Sequence, residues 1–146
     1  MASECYASFV LTGLDLNPDE ITAKTGVIPT KTWRVGDLIS PQATIRYQHN
    51  GWRLSSQRKF VDFEDADDLA DHVRAVLEQL HVSWQTFVEV GAQFDSEVCC
   101  IIYTGGERPA IHFDRAILNQ LSELNAELDV DLYVLPEDSS ERTSAS

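Results

Sequence analysis

An α+β domain is predicted for this chain, with a mixed or antiparallel sheet covered by helices, and three observations carry the prediction. Segments rich in β-branched and aromatic residues recur between segments whose apolar residues fall at helical spacing. Asn50-Gly51, inside "ATIRYQHNGWRLSSQ", is a strong two-residue hairpin signal, because both positions tolerate positive φ. The helical patterns interleave with antiparallel hairpins, which gives an α+β layering. The 146 residues suit a single domain, placed at 1–135, with a core of ordinary size.

The elements follow in order. "YASFVLTG" (6–13) ends at Gly13 and reads as a strand. "NPDEITAKTG" (17–26) opens a short helix: Asn17 caps it, Pro18 suits its first position, Asp19 and Glu20 favour the positive end of the dipole, and Gly26 stops it. Residues 43–57 form the predicted hairpin, with Ile45, Tyr47, Trp52 and Leu54 on one face and Arg46 and Arg53 on the other. "DADDLADHVRAVLEQL" (65–80) places Leu69, Val73, Val76, Leu77 and Leu80 on one helical stripe. "HVSWQTFVEVGA" fits both periods, and a short helix is the preferred reading. "EVCCIIYT" (97–104) is apolar enough for a central strand, and Gly105-Gly106 allows a turn into a further strand, "PAIHFD". A helix over 115–128, with Ile117, Leu121, Leu124 and Leu128 inward, precedes a closing strand at 129–135. The order strand-helix-hairpin-helix against hairpin-helix-strand suggests two related β/α halves. Residues 136–146 lack apolar anchors and read as a disordered acidic, Ser-rich tail.

No apolar run approaches the roughly 18 residues of a membrane span, and the first residues lack the basic start of a secretory signal. Cys5, Cys99 and Cys100 are odd in number and show no CxxC spacing, so neither a disulfide framework nor a zinc site is expected and a cytoplasmic setting is the default. No cofactor and no metal are expected. The elbow, zincin, Walker and dinucleotide motifs are all missing. His49, His72, His81 and His112 are scattered, so no catalytic residue is assigned.

The net charge is −13, but it is unevenly spread. Residues 24–59 hold seven Lys and Arg against the single acid Asp37, whereas the rest of the chain has 4 basic and 23 acidic residues. Such a surface repels nucleic acid and anionic membranes and attracts a basic protein. Two candidate sites result. Asp62, Glu64, Asp65, Asp67, Asp68 and Asp71 form an acidic patch that could engage a basic partner; the alternative is a solvated helix start. Lys31, Trp33, Arg34, Arg46 and Arg53 could grip a carboxylate or phosphate; the alternative is that they neutralise the chain's own acids.

The ordered pieces resemble a family of mostly bacterial proteins, the domain of unknown function 4279 family. The similarity lies in the opening strand, in "LDLNPDEITAKTGVIPTKTWRVGD", in "NGWRLSS" and in "AILNQLSELNAELDVDLYVL", and spans about residues 5–135. It implies no activity, and it singles out Pro29, Thr30, Gly36, Asp37 and Trp52 as pattern positions. The expectation is therefore a non-enzymatic cytoplasmic protein whose acidic surface engages a basic protein, a toxin-neutralising immunity protein being the concrete form. The alternative is a small-molecule site, or a weak enzyme acting on an anionic ligand, at the basic loop.

Overall fold

The computed structural model describes residues 4–56, 68–106 and 108–136. The expected tail lies outside the described residues except for Pro136. The elements are β1 (Glu4–Gly13), α1 (Pro18–Thr25), β2 (Lys31–Trp33), β3 (Asn50–Ser55), α2 (Leu69–Leu80), a 3₁₀ turn (His81–Ser83), α3 (Trp84–Gln93), β4 (Asp95–Thr104), α4 (Arg115–Glu123) and β5 (Ala126–Val134). They build a five-stranded mixed sheet in the order β2-β3-β1-β4-β5. Every neighbouring pair is antiparallel except β4–β5, which is parallel. The α+β class is therefore present as predicted.

Local signals locate the helices well. Asn17 caps α1 through a bond from the Asp19 amide, Pro18 stands at its start, and Gly26 closes it at φ 72°. Asp68 caps α2, and the predicted stripe Leu69, Val73, Val76, Leu77 and Leu80 is buried. The ambiguous segment after it is helical, as α3. The last helix is shorter than expected: it ends at Glu123, and Asn125 turns the chain at φ 56°. Leu128, expected on its inner face, is instead an exposed residue of β5.

The predicted hairpin is corrected. Asn50 and Gly51 begin β3, which pairs with β1 on one edge and with the short β2 on the other. Residues 43–49 form no strand, only the bridge Leu38↔Arg46, and Ile45 is 65% exposed. Gly51 is needed for a different reason: a Cβ there would run into the indole of Trp33. Asn50 is used as a clamp. Its Oδ1 accepts from the Val35 amide at 2.8 Å, and its Nδ2 donates to the carbonyls of Leu14 and Leu16 at 3.2 and 2.9 Å. The second predicted hairpin is likewise absent. Residues 108–113 are irregular, since Pro109 cannot donate to a ladder and the far edge of β4 is taken by β5. The mirror-like halves dissolve with it, because β4-α4-β5 is a parallel crossover.

Burial shows which face of the sheet holds the helices. Ala7, Phe9 and Leu11 of β1, Trp52 and Leu54 of β3, and Val98, Cys100 and Ile102 of β4 all enter the core. β4 is thus not a central strand buried on both faces; β1 is the central strand, and β4 alternates between core and partly exposed positions. The alternate residues of all five strands make up an opposite face, open in the sense that no helix lies on it among the described residues, although Ser8, Val10 and Ser55 at its middle are buried.

Candidate functional site

Charge on this open face is ordered by strand register. Lys31 pairs with Arg53, Arg53 with Val10, Val10 with Glu97, and Glu97 with Glu127. Opposed residues share a face, so one row runs from two cations through valine to two carboxylates. The next row sets Ser55, Ser8, Cys99 and Asp129 side by side, and the one after it Tyr6, Ile101 and Asp131.

On the β2–β3 side, Trp33 is only 6% exposed. Its ring stacks on Tyr47 with centroids 4.8 Å apart, and the Arg53 guanidinium carbon lies 5.3 Å from its ring centre. Lys31 Nζ donates to the Tyr47 hydroxyl at 3.1 Å. Three of the predicted anion-binding residues, Lys31, Trp33 and Arg53, therefore lie together. The other two do not join them. Arg34 turns towards α1, pairing with Asp19 at 3.0 Å and donating to Asn17 at 3.2 Å. Arg46 donates to the Gly36 carbonyl at 2.7 Å, so it does not share a hairpin face with Arg53.

The family-pattern positions have architectural tasks. Thr30 donates its amide to the Arg53 carbonyl and accepts from the Ser55 amide through its hydroxyl. Gly36 adopts φ 92°, and Asp37 closes the same turn by accepting from the Arg34 amide at 2.8 Å. Pro29 lies two residues before β2, and Trp52 sits in the core at 0% exposure.

Of the predicted acidic patch, Asp62, Glu64, Asp65 and Asp67 lie outside the described residues. Asp68 serves as the cap of α2, and Asp71 pairs with Arg74 at 3.0 Å. Arg74 also reaches Asp114 at 3.2 Å, and Asp114 caps α4. The Ile117 amide and Arg74 together hold the Asp114 carboxyl below its ordinary value.

A second acidic group was not singled out in the sequence. Glu97 of β4 and Glu127, Asp129 and Asp131 of β5 lie on the open face, with Asp95 at the start of β4. No Lys or Arg pairs with any of them among the described residues. A cleft of about 610 Å³ opens at the starts of these strands, with Asp95, Glu97 and Glu127 on its wall. The signal was present in "ELDVDLYV", where acids alternate with apolar residues at strand spacing.

Cys99 and Cys100 are poorly suited to redox or nucleophilic chemistry. Burial pushes the thiols of both Cys99 and Cys100 up to about 12, with Glu97 adding to the effect at Cys99. In the folded protein at pH 8 both should react with a thiol reagent at least tenfold more slowly than in denaturant, as a timed colorimetric titration would show. Equal rates in the two states would mean that the sheet does not protect them. His72 is fully buried, with Nδ1 2.8 Å from the Ser56 hydroxyl, and His81 Nε2 lies 2.7 Å from Gln120 Oε1. No group of three or more His, Cys, Asp and Glu positioned to hold a metal occurs among the described residues. No helix among them is long and apolar enough to cross a membrane.

Comparison with known proteins gives one result: residues 3–135 match the family model described as Domain of unknown function (DUF4279). No curated protein and no solved structure matches the chain.

Proposed function

The chain belongs to the DUF4279 family, and from the charge layout of its open sheet face we propose that it acts by binding a basic protein and not by catalysis. The observation that carries this reading is the acidic strip Glu97, Glu127, Asp129 and Asp131, which no cation neutralises among the described residues. Carboxylates aligned on one side raise the local potential and speed the approach of a positively charged surface. β5 adds a means of attachment. Among the described residues it is an edge strand with only β4 beside it, and its alternate residues Leu128, Leu132 and Val134 are exposed. A partner strand laid along that edge would gain main-chain hydrogen bonds, and its basic side chains would meet the acids. A cytoplasmic immunity protein that neutralises a basic toxin is the concrete form of this proposal.

The test compares wild type with Glu127→Gln/Asp129→Asn/Asp131→Asn in capture from the native lysate at low salt, followed by a salt gradient. Wild type should retain one stoichiometric basic protein that elutes at moderate salt. The triple variant should lose it, or associate roughly tenfold more slowly. A partner held equally well by both would remove the strip from the interface.

A further inference from the structure

We propose that Arg53, with Lys31 beside it and Trp33 against it, is the receptor for an oxyanion, a carboxylate or a phosphate, on the open sheet face. The argument begins with a mismatch in the protein's own hydrogen bonding. Arg53 Nε is buried and has no acceptor, and no carboxylate pairs with the guanidinium among the described residues. A guanidinium carries five N–H donors in a fixed fork, and a buried charged donor left unpaired destabilises the fold. The other described cations near it are differently placed: Arg34 has Asp19, Arg46 has the Gly36 carbonyl, and Lys31 has the Tyr47 hydroxyl. Arg53 alone among these meets only the π face of an aromatic ring.

The surroundings fix the ligand's chemistry. Lys31 is the cross-strand neighbour of Arg53, so two positive charges share one row. The chain's own acids in that row begin at Glu97, on the far side of Val10 and two strands away, roughly 10 Å at ordinary strand spacing. The row beside Arg53 begins with Ser55 and Ser8, neither of which carries a charge. Trp33 restrains the fork from one side, itself held between Tyr47 and the bare backbone of Gly51. A restrained fork with a second cation next to it fits the paired oxygens of a carboxylate or phosphate and does not fit a neutral or cationic ligand. This assignment does not depend on the acidic strip, and either can fail alone.

The experiment titrates the ¹⁵N-labelled full chain with inorganic phosphate, acetate or chloride at constant ionic strength, following the Arg53 Nε–H and Trp33 indole N–H signals. Saturable shifts at both groups with phosphate, acetate or both are expected, and the productive salt separates a phosphate from a carboxylate ligand. Arg53→Lys should weaken binding at least tenfold, since a point charge replaces the fork, and Arg53→Met should abolish it. Arg53→Met should also melt no lower than wild type in chloride, because it removes an uncompensated charge. Shifts that are equally large in chloride, that do not saturate or that persist in Arg53→Met would overturn the proposal. So would a large fall in the melting temperature of Arg53→Met, which would make the arginine a packing residue.

Discussion

Replacing Trp52 by alanine is expected to destabilise the protein by about 3–5 kcal/mol, the range for deleting a large buried aromatic. Trp52 is completely buried and joins three elements. Its ring lies 6.4 Å from Phe9 of β1 and 5.6 Å from Phe87 of α3, and those two are 5.9 Å apart. Its indole nitrogen donates to the Thr22 hydroxyl of α1 at 3.1 Å. Truncation would therefore leave a void where sheet and helices meet and remove one of the two hydrogen bonds of the Thr22 hydroxyl, which would still donate to the Pro18 carbonyl at 3.3 Å. Ordinary domains have stabilities of only about 5–15 kcal/mol, so much of the total could vanish. Urea denaturation would show the midpoint moving sharply down, and the melting temperature should fall on the order of 10 °C. Trp52→Phe should lie between the two, losing the hydrogen bond but keeping most of the volume. A Trp52→Ala variant as stable as wild type would mean that the core is not organised around this triad.

Gly91→Ala is the second large effect, and its sign is opposite to what helix propensity suggests. In a free helix the change should gain about 1 kcal/mol. In α3, however, Gly91 faces the turn that ends α4, and an added Cβ would collide with the Leu124 carbonyl oxygen. Backbone cannot swing aside as a side chain can. The same turn is tied down by Asn125 Nδ2 donating to the Gly91 carbonyl at 3.3 Å, and by Ser96 Oγ lying 2.9 Å from the Leu124 carbonyl and 3.0 Å from that of Asn125. The expected net result is a loss of about 1–3 kcal/mol, the scale for overpacking. Calorimetry of the single variant checks it, and a raised melting temperature would contradict the contact.

These two residues also show why the sequence was only partly legible. Helices close their bonds within a few residues, so Asn17, Pro18 and Gly26 announced α1, and the Leu69-to-Leu80 stripe announced α2. Strands take their partners from afar. Asn50-Gly51 has the local chemistry of a turn, but β1 and β2 occupy both edges of β3, and the glycine answers to Trp33 instead. The segment at 108–113 had strand-like residues, yet the edge it would need belongs to β5. The candidate site divides in the same way. The residue types of Lys31, Trp33 and Arg53 suggest anion binding, but their meeting depends on a β2–β3 register that no local pattern encodes. The acids of β5 are masked by the apolar residues they alternate with, and their neighbour Glu97 becomes adjacent only through parallel pairing.

The position of β1 in the middle of the sheet also governs the time course of assembly. It precedes every other described strand, yet both of its edges are closed by later ones: Gly13 pairs with Asn50, and Glu4 pairs with Tyr103. On the ribosome its apolar residues must wait until most of the chain has emerged. Pairings over such sequence distances carry a heavy loop-closure cost and slow the approach to the native state. The nascent chain thus carries an uncapped, aggregation-prone strand for much of its synthesis. Truncation before β4 would leave that edge permanently open, so fragments ending near residue 94 should be insoluble even though they contain α1, α2 and α3.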